Sequence, residues 1–413
     1  MLKILQVTDF HLRQALAGHN GHVHRLSRHV PQLLEAMTRR IADEAPDLVA
    51  VTGDLLDVPH ALLDGDKSYD LKTIVQQSLA DYGLVRRWLE GLGRPWMVLP
   101  GNHDYGPAFD VVFGTSPEVM RFGEVAVHAF RDWEQAGNQA LRIGPSRVRF
   151  EHLLENATET SREVHLQHFV IRPHVDYNYP LLYGDSDDIT ARAAQAPGRR
   201  LLLSGHWHGG TPMVTIGHAQ SAVCPAFCEP PHPYRVFELA ADGTVAMRQE
   251  ELGRSFAPGR RLVLIDRAGL LTHSGGFAIR EDAAAILDGL SADAHVAIAS
   301  AWHEPESTAA PWRGVQHLHD AFFEAFGASK NQAEALCIYL PAEGAGGRRL
   351  PAERITTEAD LIERMAELFG VAPAEVTFLT TNAARRAIAR HAGARCPDLT
   401  GPEPTAAEIL AAS

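Results

Sequence analysis

Short apolar runs alternate with stretches whose apolar residues recur at helical spacing. Leu2-Lys3-Ile4-Leu5-Gln6-Val7 reads as a first strand. After Pro31, in a helix-start position, Leu33, Leu34, Met37 and Ile41 predict a helix over 31–43. Asp47-Leu48-Val49-Ala50-Val51, bounded by Pro46 and Gly53, has the continuous apolar character of a buried strand. Residues 70–90 predict a long amphipathic helix, and Pro95–Leu99 the next strand, closed by Pro100-Gly101. Further strands are expected near 164–168, 200–204, 211–216 and 234–239. Strands alternating with helices imply a layered α/β fold for residues 1–251. Residues 252–260 have the composition of a linker. A second α/β pattern spans 261–398, with strands near 262–266, 295–299, 336–340 and 376–379, and residues 399–413, rich in Ala, Pro and Glu, read as a loosely held tail.

The totals narrow this picture. A chain of 413 residues fits two domains, and 45% hydrophobic with 22% charged residues is globular composition rather than disorder. The net charge of −13 weighs against broad nucleic-acid binding, which rests on basic surface. It leaves a small anionic substrate open, because bound cations reverse a local field. Cys224, Cys228, Cys337 and Cys396 contain one C-x-x-x-C and no second pair, so they are expected to be reduced thiols of a cytoplasmic protein rather than a zinc framework. No signal peptide is expected at a start that opens directly on a strand, and no apolar run approaches the ~20 residues of a membrane span. Among the 22 histidines, His19, His22, His24 and His29 lie in a loop-like stretch. They read as solvated side chains, with lining of a substrate pocket as the alternative.

Five short motifs follow predicted strands, where ligand sites of open α/β sheets gather. In Asp9-Phe10-His11 the outer two side chains face one way and can reach one cation. In Gly53-Asp54-Leu55-Leu56-Asp57 the glycine permits a tight turn, and the two oxygens of Asp54 can bridge two cations ~3.5–4 Å apart. Asp57 is read as a supporting residue or a helix cap. Gly101-Asn102-His103-Asp104 offers an amide oxygen from Asn102, a histidine for proton chemistry, and Asp104 to orient that histidine. His168, at the end of Val164–His168, is preferred as a ligand to His165, which lies earlier in the strand. Gly205-His206-Trp207-His208 closes a fully apolar strand with two imidazoles facing one way. Each motif alone also fits a polar strand end or turn. Five in one order, each at a strand end, point to a metal site.

The order D-x-H, G-D, G-N-H-D, H, G-H-x-H resembles that of the calcineurin-like metallophosphoesterases. The resemblance covers about residues 1–250 and implies a β-sandwich flanked by helices, with two divalent ions at the strand ends. Asp9, His11 and His208 would hold one ion, Asn102, His168 and His206 the other, and Asp54 would bridge. Mixed nitrogen and oxygen ligation suits Mn²⁺ or Fe, and also Zn²⁺. A hydroxide formed between the ions would attack phosphorus, with His103 and Asp104 assisting. The segments Ile4–Leu12 and Val51–Asp57 look like those of bacterial class III cyclic-nucleotide phosphodiesterases, so a small or nucleotide-like phosphodiester is the expected substrate. The chain departs from that subgroup in an extra stretch around 58–80, a lid or a longer helix, and in its whole second domain. A phosphomonoesterase, a nuclease and a non-enzymatic scaffold are the alternatives; the complete ligand set argues against the last.

Residues 261–398 resemble a haloacid-dehalogenase-type (HAD), Rossmann-like domain. Leu262–Leu271 is similar to the family's D-x-D-G-[TV]-[LI] loop, Ser300 sits where a second-motif Ser or Thr would, and Thr377–Asn382 is similar to the final strand and its acidic motif. Ala268 and Thr381 stand where carboxylates are required, so an Mg²⁺ at Asp266 would be poorly held and the domain is expected to be non-catalytic. Docking, homodimerisation or substrate delivery are the roles left to it.

Overall fold

The computed structural model describes residues 1–16, 25–27, 29–58, 71–135, 138–177, 180–253, 260–274, 278–302, 338–341, 357–399 and 401–413. They form two compact units, Met1–Leu16 with Val30–Gly253, and Ala17–His29 with Arg254–Ser413. Of the loop histidines only His29 is described; His19, His22 and His24 fall outside the described residues, as do Cys337 and most of the expected linker.

The first unit runs β1 (Leu2–Val7), α1 (Val30–Glu44), β2 (Leu48–Thr52), α2 (Leu71–Gly91), β3 (Trp96–Leu99), α3 (Gly106–Phe113), β4 (Val119–Phe122), β5 (Val125–Ala129), β6 (Glu134–Gln135), β7 (Gln139–Ala140), α4 (Gly144–Glu155), β8 (Arg162–Leu166), α5 (Ser186–Gln195), β9 (Arg199–Ser204), β10 (Thr211–Ile216), β11 (Ala219–Val223), β12 (Pro233–Leu239) and β13 (Val245–Glu251). One sheet has the order β13-β12-β1-β2-β3, the other β10-β11-β9-β8-β5-β4. Within them β1, β2 and β3 are mutually parallel, as are β5, β8, β9 and β11.

The apolar runs are continuous because both faces of these strands are covered. Leu48 and Ala50 of β2 pack with Ile4, Met97 and Leu99 against Val127, Val164, Leu166, Leu201 and Leu203 of the second sheet. Val49 and Val51 turn the other way, onto Leu34, Met37 and Ile41 of α1 and Tyr82, Val85 and Leu89 of α2. On the far side of the second sheet, Leu202 joins Phe150 of α4 and Ile189 and Ala193 of α5. The result is two sheets face to face with helices outside. Of the stretch expected as a lid or longer helix, α2 begins at Leu71, and residues 59–70 lie outside the described residues. Strands β4 to β7, β11 and β13 were not read from sequence; β4 and β13 are half-exposed and carry no long apolar run.

In the second unit β14 (Arg261–Asp266), α6 (Ala283–Ser291), β15 (Ala294–Trp302), β16 (Ile338–Pro341), α7 (Glu358–Phe369), β17 (Val376–Leu379), α8 (Ala383–His391) and α9 (Ala406–Ala412) build a parallel sheet of order β16-β15-β14-β17. Leu262 and Leu264 face α7 residues Leu361, Met365 and Phe369, with Leu26 in the same cluster. Val263 and Ile265 face Ile286, Leu287 and Leu290 of α6. The expected loose tail is corrected: α9 is capped by a Thr405–Glu408 capping box, and Ile409 is fully buried. The T-x-x-E pattern that starts this helix was readable in the sequence. Among the described residues no helix is long and apolar enough to cross a membrane.

Candidate metal centre

The loops after β1, β2, β3, β8 and β9 carry the five motifs. They are braced to one another by backbone: Asp9 N–H donates to Gly53 O at 3.0 Å, His11 N–H to Asp54 O at 2.9 Å, and Gly205 N–H to His168 O at 2.9 Å. Asp9, His11, Asp54 and His206 adopt positive φ of 54°, 44°, 49° and 69°. Such left-handed backbone is uncommon without glycine, and strain of this kind concentrates at functional sites. Two glycines are required by space. Gly53, at φ 97°, has the His168 imidazole against its Cα, and a Cβ at Gly101 would fall on Asp54 and His168.

The bracing brings all seven expected ligands together. His11 Nε2 lies 3.1 Å from His208 Nε2, and Asp9 Oδ1 lies 3.8 and 3.6 Å from those two nitrogens. His168 Nε2 lies 3.1 Å from Asn102 Oδ1, and ligand atoms of Asp54, His168 and His206 fall within 4.8 Å of one another. Asp54 belongs to both groups, with Oδ2 3.4 Å from His11 Nε2 and 3.4 Å from His168 Nε2. His165 is placed differently, paired with Glu163 at 3.1 Å and packed edge-on to Phe150 and His128 in the core.

The donor chemistry fits divalent cations. His168 Nδ1 can only donate to the Thr52 carbonyl, at 2.8 Å, so in the neutral ring the Nε2 lone pair faces the oxygens of Asp54 and Asn102. His208 Nδ1 is likewise engaged by Glu229, 2.5 Å away, which turns the Nε2 lone pair inward. Asp9 is fully buried, and its Oδ1 accepts no hydrogen bond. Electron pairs thus converge on one another with few protons between them, which is costly unless a cation sits there. Without a cation, the carboxylates draw positive charge onto the imidazoles instead. Burial alone would raise Asp54, but His168, His103 and His11 hold it well below the usual carboxylate range. Burial would lower His168, but Asp54 and Asp9 draw it up to about 9. Burial and the neighbouring His168 keep His206 neutral, the form that ligates a metal.

Around this centre the third motif is wired differently from the expectation. His103 Nδ1 pairs with Asp57 Oδ1 at 2.9 Å, and Asp57 Oδ2 takes Arg13 Nε at 2.9 Å. Asp104, expected to orient His103, instead accepts from the backbone N–H groups of Leu55, Leu56 and Gly101 and from the Tyr82 hydroxyl. Asp57 is brought to the ring by its own loop, where Val58 N–H donates to the His103 carbonyl at 3.1 Å, whereas the Asp104 side chain turns back to clamp the loops after β2 and β3. Arg13, Tyr82 and Glu229 were missed by sequence reading. Arg13 alone had a signal, two residues beyond the first motif.

The calcineurin-like phosphoesterase family model matches residues 2–210. No curated protein matches the chain. Among solved structures, a dimetal phosphatase from Danio rerio aligns over 61% of this chain and 96% of its own, at 13% identity and a TM-score of 0.45, a likeness too slight to carry an argument. The match covers half of the 413 residues and contains every motif of the centre, so the chain belongs to the calcineurin-like phosphoesterase family, whose chemistry is metal-dependent hydrolysis of phosphoesters.

Proposed function

We propose that this protein hydrolyses a phosphodiester of a small, nucleotide-like substrate at a centre of two divalent cations. Asp9, His11 and His208 would hold one, Asn102, His168 and His206 the other, and Asp54 is placed to serve both. The observation that carries this reading is the position of Asp54 Oδ2, 3.4 Å from a histidine of each group. When bound, the pair of ions supplies charge for the phosphoryl oxygens and acidifies a water to serve as nucleophile. The mixed donors suit Mn²⁺ or Fe, and also Zn²⁺.

The protein's own groups do the rest. Asp57 holds His103 by Nδ1, so Nε2 is the nitrogen that hydrogen-bonds the phosphoryl oxygen or hands a proton to the leaving alkoxide. Asp104 acts on the loops rather than on the substrate. A diester is supported by the aromatic pair beside the centre. Trp207, between two of the ligands, is packed against Tyr177 at a centroid distance of 5.1 Å, and Tyr177 is 46% exposed. That face can receive a nucleobase or aryl group on the second ester arm.

The HAD-like reading of the second unit is part of the same proposal, with a non-catalytic role in docking or homodimerisation. Its support is Asp266, whose Oδ2 accepts from Thr380 Oγ1 at 2.7 Å and pairs with Arg385 at 2.5 Å. A fixed guanidinium thus stands where a metal would be needed.

The test is metal content by mass spectrometry together with turnover of bis-p-nitrophenyl phosphate and p-nitrophenyl phosphate, in Mn²⁺ and after chelation. About two ions per chain and the higher kcat/KM on the diester are expected. Preference for the monoester would make this a phosphomonoesterase, and neither metal nor turnover would leave a scaffold.

A further inference from the structure

The mechanism leaves one buried nucleophile beside the centre unused. Cys228 has no exposed surface and forms no disulfide. Its Sγ and one ring nitrogen each of His11 and His208 lie within 4.8 Å of one another. Building on the two-cation reading, we infer that Cys228 is a further ligand of the ion held by His11 and His208, and that its sulfur biases that position toward thiophilic Zn²⁺ or Fe²⁺ over Mn²⁺.

Backbone sets the thiol there. Ala226 N–H donates to His208 O at 3.1 Å, Phe227 N–H to Thr8 O at 3.0 Å, and Cys228 N–H to Asp9 O at 3.1 Å. The segment Ala226–Cys228, just past β11, is therefore laced onto the loops that carry Asp9 and His208. A second observation points to a cation at the same imidazoles. Asp9 Oδ1, buried and without a hydrogen bond, stands 3.8 and 3.6 Å from His11 Nε2 and His208 Nε2. Zn–S and Zn–N bonds of ~2.3 and ~2.1 Å keep two donors of one ion within ~4.4 Å, so the observed bound is close to what shared ligation needs. Cys224, a second buried thiol that reaches the Gln6 carbonyl at 3.8 Å, serves as the control.

Ligation breaks the S–H bond of Cys228, forms a sulfur–metal bond and releases one proton to solvent, with no change of oxidation state. Thiolate donors favour Zn and Fe, whereas oxygen donors suit Mn, so one sulfur among oxygens and imidazoles shifts the preference of one position only.

Co²⁺ is the probe. Wild type, Cys228→Ser and Cys224→Ala are stripped by chelation and titrated with Co²⁺. Visible d–d bands report binding by any ligand, and near-ultraviolet thiolate-to-Co²⁺ charge transfer reports sulfur. Both are expected in wild type and Cys224→Ala, and only the d–d bands in Cys228→Ser. Zn²⁺ affinity should fall ~10-fold or more in Cys228→Ser, with Mn²⁺ affinity falling less, since even outer partners of a ligand are worth ~10–100-fold. Binding without charge transfer in wild type, or charge transfer surviving in Cys228→Ser, overturns the inference and leaves the two-cation reading intact. Absence of all Co²⁺ bands overturns both. Should Cys228→Ser fail to fold, the wild-type spectrum still decides, and Cys228→Ala replaces the variant.

Discussion

His103→Ala separates proton transfer from metal binding, because the two roles of His103 use different atoms. Its backbone N–H donates to Asp54 Oδ1 at 2.9 Å, and that bond survives in alanine. The imidazole pairs with Asp57 at 2.9 Å. Once the ring is gone Asp57 keeps Arg13 Nε at 2.9 Å and has His11 Nδ1 at 3.6 Å, so no buried carboxylate is left uncompensated. The stability loss should be that of an ordinary truncation, ~1–2 kcal/mol, with the metal content unchanged. A positioned acid contributes ~10²–10⁴-fold, and at ~1.36 kcal/mol per decade the barrier should rise by ~2.7–5.4 kcal/mol. The assay is kcat over a series of aryl phosphodiesters whose leaving groups become progressively more basic. A donor to the leaving oxygen matters most for the poorest leaving group, so the deficit should widen along the series. Intact activity, or a loss that follows loss of bound metal, would refute the assignment.

Two further substitutions test the packing. His128 is 3% exposed, and neither ring nitrogen makes a hydrogen bond, so His128→Leu should raise stability by ~1 kcal/mol at neutral pH. Burial, then His165, holds the imidazole down to about 4, whereas the unfolded chain protonates it near 6.5. Between those values the unfolded state binds the extra proton, so wild type loses stability as pH falls from about 6.5 to about 4. Urea denaturation at several pH values should give a shallower acid decline for the variant; parallel curves would contradict this account. In the second unit, Arg385 neutralises both Asp266 and Glu358, at 2.5 and 2.7 Å. Arg385→Ala should lower that unit's unfolding midpoint by the equivalent of ~3–5 kcal/mol, while phosphodiester turnover stays at the wild-type level. A drop in kcat with metal content unchanged would mean that the second unit takes part in the reaction.

The strands that build the centre were legible because their patterns are local. Leu48–Val51 must be apolar at every position, since alternate residues enter two different cores. The seven candidate ligands were legible because each sits within a few residues of such a strand, and Asp54, Asn102, His206 and His208 also follow a turn glycine. The short strands β4 and β13 were not, since half-exposed pairs need no apolar run. The C-terminal helix is short, and its Ala, Pro and Glu content masks the capping box of Thr405 and Glu408 and the single buried anchor Ile409.

The sequence by itself determined the buried strands, the helices between them and the functional groups that follow the strands of the centre, because hydrophobic period and turn chemistry act over a few residues. Tertiary structure decided the pairings. His11 meets His208 across 197 positions and His103 meets Asp57 across 46, separations at which no local pattern reports a partner. The same distance effect assigned Asp57 rather than the adjacent Asp104 to His103, set Glu229 behind His208, and laid Cys228 beside the imidazoles. Packing of sheets and loops, which sums many weak contacts from the whole unit, selects one such arrangement from the many that the same motifs allow.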